Sequence, residues 1–121
     1  MNRFSAVGVA YYAGLGVIAL VRPSVPPGMF GGRADTTDAQ VEVRAVYGGL
    51  PLAFAGLLAA SPAAAPAVAV ATAGMAVVRA GGWLAEGRRV TSITKLALAA
   101  EVAVAAAIAA GMRGTTARAG G

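Results

Sequence analysis

The chain has 121 residues, enough for one domain, and only 12% of them are charged, against about 25% in an average soluble domain. Its hydrophobic share is 58% and its mean hydropathy is +0.71, so too few polar side chains are present to cover a soluble domain of this size. The absence of cysteine and histidine excludes disulfides, thiolate chemistry, a Cys/His zinc site and histidine acid–base catalysis.

Four apolar segments follow one another, at about residues 4–21, 38–60, 65–84 and 92–112. Each is close to the roughly 20 residues that a helix needs to cross a bilayer, and none alternates with a period of two as a barrel strand does. The first segment follows Arg3 as a signal peptide would, but Arg22-Pro23 is a poor cleavage context. We therefore expect four membrane-spanning helices, the first of them retained.

The second segment carries two local signals. Thr37 followed by Gln40 fits a capping box at its start. Pro51 lies inside it and removes a backbone donor, which predicts a kink that frees the carbonyl of Tyr47. Gly48 and Gly49 directly precede this point, so the backbone there can be approached closely, either by a ligand in a small cavity or by a packed helix.

The loops predict how the four segments are arranged. The turn between the second and third segments is short, so these helices are expected to be antiparallel neighbours in an all-α, integral membrane, up-down-up-down four-helix bundle. The bundle occupies residues 1–112, and residues 113–121 are expected to form a disordered polar tail. Five basic residues flank the first and third loops, against three near the termini, which favours these loops as cytoplasmic. The five are Arg22, Arg33, Arg88, Arg89 and Lys95, and the three are Arg3, Arg113 and Arg118.

Small residues recur at four-residue spacing in the later segments. Lipid is as apolar as leucine, so helices associate in a bilayer through close van der Waals contact, which small residues permit. These rows favour a tightly packed bundle over a dedicated dimerisation motif. They comprise Gly49 and Ala53, Leu52 and Gly56, Ala69, Ala73 and Val77, and Ala99, Ala103 and Ala107.

Several ionisable residues lie in or beside the apolar segments, where a lone charge costs about 2.5–3.5 kcal/mol on insertion scales. The predicted topology brings them to one membrane face. Three of the five are acidic (Glu42, Glu86 and Glu101) and two are basic (Arg44 and Arg79). The acid surplus implies either a protonated Glu101 or a further partner. Two interpretations stay open: a polar pocket for a small ligand or a proton, or an ion-pair network that fixes helix register. The depth of Glu101 in the predicted membrane span favours a functional role for it, whereas a structural role is favoured for Arg44 and Arg79. The candidate ligand-binding residues are Glu42, Arg44, Tyr47, Arg79, Glu86 and Glu101.

The segment from Glu42 to Gly49, with Arg79, Glu86-Gly87 and Glu101, resembles the bacterial domain-of-unknown-function 4345 family of small four-helix membrane proteins. The resemblance covers about residues 5–110. It implies a four-span fold in a bacterial inner membrane and brings no established activity. The architecture is also similar to that of DoxX-type proteins, some of which are linked to quinone-related redox chemistry.

The residues leave three functions open. The first is a small non-enzymatic accessory subunit or scaffold of a larger membrane complex, without a cofactor, whose partners are the lipid bilayer and other membrane subunits or further copies of itself. The second is binding of a quinone-like or lipid-like molecule, or proton-coupled transport, through the polar pocket. The third is an intramembrane enzyme, which would have to rely on Glu101 and Tyr47. No metal-ligand cluster or nucleic-acid motif is present in the sequence.

Overall fold

The computed structural model describes residues 2–120, and the side chains of all of these except 115–119. The described chain is helical and contains no strand, which confirms the predicted all-α class. Four of its helices are long and apolar enough to cross a membrane, as expected from the four apolar segments. The helices are α1 (Arg3–Val21), α2 (Val25–Met29), α3 (Thr37–Ala60), α4 (Ala65–Glu86) and α5 (Ser92–Ala119).

The start of α3 differs by one residue from the predicted capping box. Thr36, and not Thr37, is the N-cap, and its hydroxyl accepts a hydrogen bond from the backbone N–H of Ala39 at 3.1 Å. The Gln40 side chain does not reach back to the cap but donates to the carbonyl of Ala34 at 3.3 Å. Gln40 thereby ties the preceding loop to the first turn of the helix.

The middle of α3 is wider than a regular α-helix. Residues 44–49 form a π-helical turn in which the N–H of Leu50 bonds to the carbonyl five residues earlier, at Ala45. A proline ring clashes with the carbonyl four residues before it, and Pro51 follows directly, so the extra residue in this turn relieves the crowding. The predicted distortion at Pro51 therefore takes the form of a π-turn on its N-terminal side.

Helix α1 holds the bundle together, because it packs against both α3 and α5, while α4 packs mainly against α5. Helices α3 and α4 make few backbone contacts with each other. The buried cluster at the core draws on all four long helices, and Phe54, Tyr11 and Met112 pack around it. Its members are Tyr12, Ala55, Leu58, Ala65, Val68, Val104 and Ile108.

Glycine contact is concentrated between α1 and α3. A Cβ on Gly16 would lie 2.5 Å from Leu52 Cγ and 2.9 Å from the carbonyl oxygen of Gly48, so both backbones depend on the missing side chain. The small residues predicted to pack on α3 lie elsewhere. Gly49 and Gly56 are exposed, whereas Leu52, one turn before Gly56, lies against Gly16 of α1.

The end of α5 also differs from expectation. The sequence predicts a disordered tail from residue 113, whereas the helix runs on to Ala119. Alanine and arginine are strong helix formers, and an isolated glycine such as Gly114 costs only about 1 kcal/mol without ending a helix. No proline follows Gly111 to stop the helix.

Candidate functional site

Arg79 of α4 and Glu101 of α5 form the main polar contact of the bundle. Arg79 Nη2 donates to Glu101 Oε1 at 2.7 Å, and Arg79 Nε donates to Oε1 and Oε2 at 3.1 and 3.0 Å. Both carboxylate oxygens are therefore satisfied by one guanidinium. The two charges neutralise each other in a bidentate geometry, which is the strongest form of this pair.

The two partners of this ion pair are buried to different degrees. The Glu101 side chain is 3% exposed, but that of Arg79 is 27% exposed. A buried carboxylate without its partner would be strongly disfavoured, so Arg79 is what allows Glu101 to remain inside the bundle as a charge. Arg79, in contrast, is only partly enclosed. Its Nε and Nη2 are bonded to Glu101, while part of the guanidinium stays accessible.

One aromatic ring lies against the guanidinium of Arg79, and two tyrosines lie within its electrostatic range. The ring of Phe30, directly after α2, lies with its centroid 5.4 Å from the guanidinium carbon. Tyr11 and Tyr47 lie close enough to Arg79 to interact with it electrostatically. Among the residues that the structure describes, neither tyrosine hydroxyl makes a hydrogen bond, so both remain available as donors or acceptors.

The remaining predicted site residues do not join this pair. Glu42 and Arg44 are both exposed, and Arg44 Nε donates to the carbonyl of Leu20 at 3.2 Å, which caps the end of α1. Glu86 pairs at 3.3 Å with Arg89, one turn further on. The predicted cluster of five charges thus reduces to one pair, and the predicted acid surplus disappears because Glu42 and Glu86 lie outside it.

The structure adds a second polar contact that the sequence analysis did not single out. The hydroxyls of Tyr12 and Thr72 are hydrogen-bonded, and Thr72 also donates to the carbonyl of Val68 at 2.8 Å. Because threonine has a single hydroxyl hydrogen, Tyr12 must donate to Thr72. Phe54 closes against the Tyr12 ring edge to face, with 5.2 Å between centroids. The available signal was Thr72 itself, since it is the one hydroxyl residue in the apolar part of its segment.

The chemistry open to this site follows from these contacts. Both oxygens of Glu101 are already used, so the carboxylate is poorly placed to take a proton from a substrate. Among the described residues, no group of three metal-binding side chains occurs. What the site does offer is an accessible guanidinium edge with two tyrosine hydroxyls nearby, which suits hydrogen-bond donation.

No family model matches the chain, and neither the curated proteins nor the solved structures contain a match to it. The resemblance to the domain-of-unknown-function 4345 family therefore stays a prediction.

Proposed function

We propose that the protein is an integral protein of a bacterial inner membrane, which α1, α3, α4 and α5 cross in up-down-up-down order. Two contacts between helix ends support this order. Asn2 at the start of α1 donates to the carbonyl of Gly111 near the end of α5, at 3.2 Å, and Arg44 near the start of α3 reaches the end of α1. Large apolar side chains are exposed on every long helix, as lipid-facing surfaces require, among them Val17, Leu57, Val78 and Val102.

The excess of basic residues around the first and third loops supports a cytoplasmic location for these loops. The natural chain has no cysteine, so single cysteines can report the side of the membrane without background. We expect Asp35→Cys to be protected from a membrane-impermeant maleimide in intact cells, and Ala63→Cys, in the turn between α3 and α4, to be labelled. The reverse pattern would invert the orientation, and labelling of both positions would contradict four spans.

Within the membrane, the role we propose is that of a non-enzymatic accessory subunit or scaffold of a larger complex. The observation that carries it is the bare glycine surface on the outer sides of α3 and α4. A Cβ on Gly56, Gly74 or Gly81 would meet nothing within 4 Å, so a helix from another subunit can approach these backbones closely. Small residues on an outward face are the surface on which membrane helices pack.

Bulky substitutions on this surface test the role. Gly56→Leu and Gly74→Leu project into open space, so the bundle itself should fold unchanged while a docked helix is displaced. We expect a partner that co-purifies stoichiometrically with the wild-type chain in mild detergent to be lost from both variants. Val102→Leu, a change at an exposed position on α5, is the control and should retain the partner. A wild-type chain recovered only by itself would contradict the proposal.

A second function, binding of a lipophilic small molecule, is favoured by one observation. Arg79 lies seven residues before the end of α4, about 10 Å along the helix, and is still partly exposed there. A partly exposed cation at such a depth is expensive unless polar groups or water meet it. Proton-coupled transport is supported less, because Glu101 is fully paired.

A further inference from the structure

We infer that the gap between α3 and α4 is a binding site for an uncharged lipophile, whose carbonyl oxygen accepts hydrogen bonds from Arg79 and Tyr47. The inference rests on the proposed insertion of the helices into a membrane. It does not depend on the proposed accessory-subunit role, since the glycine surface lies on the outer sides of the same helices.

The gap follows from the way the helices pack. Helix α1 contacts α3 and α5, and α4 contacts α5, but α3 and α4 make few backbone contacts with each other. Near the turn that joins them, Leu58 and Ala65 belong to the same buried cluster. At the level of Arg79 the two helices offer partly exposed side chains instead, with Tyr47 53% exposed on α3. The bundle is therefore open to the surrounding lipid on this side.

One of the two donors in the gap, Arg79, is preorganised. The guanidinium is fixed by its bidentate contact with Glu101, which uses Nε and Nη2 and leaves the N–H groups of Nη1 without a hydrogen bond in the described part of the chain. Tyr47 lies within electrostatic range of Arg79 and its hydroxyl is likewise unengaged. Donors held in place before binding lower the entropic cost of capturing an acceptor.

Neighbouring side chains limit the gap along the bundle axis. Thr72 lies two turns before Arg79 on α4, and its hydrogen bond with Tyr12 ties α4 to α1 at that level. Phe54 of α3 packs on the same tyrosine. Towards the first loop, Phe30 lies against the guanidinium. Access to Arg79 is consequently lateral, from the bilayer, which selects a molecule that is already dissolved in it.

The charge balance decides what kind of head group fits. Glu101 already neutralises Arg79, so an anionic ligand would leave one uncompensated negative charge at this depth, at a cost of about 2.5–3.5 kcal/mol. A carbonyl accepts the same hydrogen bonds without that cost. A carbonyl attached to a charged head group is held at the membrane surface, so the occupant is a lipophile without such a head group, an ester or a ring ketone.

Trp83 provides the readout, because it is the only tryptophan of the chain and lies one turn beyond Arg79 on α4. The chain is reconstituted in dioleoylphosphatidylcholine vesicles, and its fluorescence is titrated with low mole fractions of three quenchers. Two carry the carbonyl in an uncharged molecule: a diacylglycerol with dibrominated chains, and an isoprenoid quinone. The third is phosphatidylglycerol with the same dibrominated chains, which is anionic. We expect saturable quenching by at least one uncharged probe, and only unsaturable quenching by the anionic lipid.

Tyrosine-to-phenylalanine changes provide a matched pair of variants. Tyr47→Phe removes an unengaged, exposed hydroxyl, so the fold should be unaffected and the apparent affinity should fall roughly fivefold, the loss of about one hydrogen bond. Tyr12→Phe makes the same chemical change where the hydroxyl is already bonded to Thr72, and should leave the affinity unchanged. Gly74→Leu should also leave quenching intact, which separates this site from the partner surface.

Several outcomes would overturn the inference. Equal affinity of Tyr47→Phe and the wild-type chain would contradict the proposed hydrogen bond from Tyr47. Saturable quenching by phosphatidylglycerol alone would contradict the preference for an uncharged ligand. Quenching by all three probes in proportion to their mole fraction would mean that no site exists. A photoreactive residue in place of Leu50, which is half-exposed on α3, should capture lipophile in native membranes. Capture of a polypeptide there would assign the gap to a partner helix instead.

Discussion

Two helix pairs in this bundle are joined by opposite means. Helices α1 and α3 approach through glycines, with the backbone at Gly48 so near Gly16 that a methyl group on the latter would collide with it. Helices α4 and α5 are joined by the Arg79–Glu101 ion pair, at a shortest separation of 2.7 Å. The first contact has no charge and depends on shape, whereas the second depends on a hydrogen-bonded pair of charges.

The difference determines which kind of substitution destabilises each helix pair. In the membrane proposed for this chain, the surroundings are as apolar as the side chains, so burial alone does not hold helices together. Close backbone packing is lost when volume is added, while an ion pair is lost when one charge is removed and the other is left without compensation. The free energy of unfolding, measured by SDS titration in mixed micelles, distinguishes the two kinds of contact.

Removal of one charge from the α4–α5 contact should have the largest effect. Arg79→Met leaves the nearly inaccessible carboxylate of Glu101 unpaired, and we expect a loss of about 3 kcal/mol in the free energy of unfolding. Glu101→Gln should cost less, because the amide still accepts a hydrogen bond and Arg79 has partial access to the surroundings.

A double variant separates a lost interaction from a stranded charge. Arg79→Met combined with Glu101→Met removes both charges, and should recover most of the stability lost in Arg79→Met alone. A double variant as unstable as Arg79→Met alone would show that the pair itself, and not the unpaired carboxylate, is the source of the loss.

Added volume should break the α1–α3 contact. Gly16→Ala places a methyl group 2.5 Å from Leu52 Cγ and against the Gly48 carbonyl, so the helices must separate, and we expect a loss of about 2 kcal/mol. Gly14→Ala is the control on the same helix, since a Cβ there meets nothing within 4 Å. A Gly16→Ala chain as stable as Gly14→Ala would show that α1 and α3 are not held at this distance.

The Tyr12–Thr72 hydrogen bond lies between the two extremes, because it joins α1 to α4 through neutral groups. Thr72→Val leaves the buried hydroxyl of Tyr12 without an acceptor, which costs about 1–3 kcal/mol. Tyr12→Phe leaves Thr72 still bonded to the carbonyl of Val68 and should cost only about 1 kcal/mol. The reverse order would mean that the hydrogen runs from Thr72 to Tyr12.

The number of long helices follows from segment length, and the existence of a partner for Glu101 follows from the cost of an unpaired charge in an apolar segment. Which residue pairs with Glu101 does not follow from the sequence, because it depends on how each helix is rotated about its own axis. Glu42 and Arg44 lie at the edge of the π-turn, where one additional residue per turn rotates every side chain before it relative to those after it.

The glycine contact between α1 and α3 does not follow from the sequence for a related reason. Helix α1 is nearly as apolar on its outer surface as on its inner one, with Val17 and Ile18 exposed and Ala19 buried. Hydrophobic periodicity identifies the inner face of a helix in water, but it carries little information where both faces are apolar. Gly16 therefore could not be distinguished from the exposed Gly14 by sequence pattern alone.

The smallest effect should come from a pair with the same chemistry as Arg79–Glu101 but a different environment. Glu86 and Arg89 are joined at 3.3 Å, and their side chains are 55% and 85% exposed. Water solvates each charge when the other is removed, so Glu86→Gln should change the free energy of unfolding by less than about 0.5 kcal/mol. Raising the salt concentration should erase even that difference, since exposed charges are screened, while the cost of Arg79→Met should persist because Glu101 is shielded from salt. If Glu86→Gln instead lowered the free energy of unfolding by several kcal/mol independently of salt, Glu86 would belong to the buried Arg79–Glu101 site and not to the exposed surface.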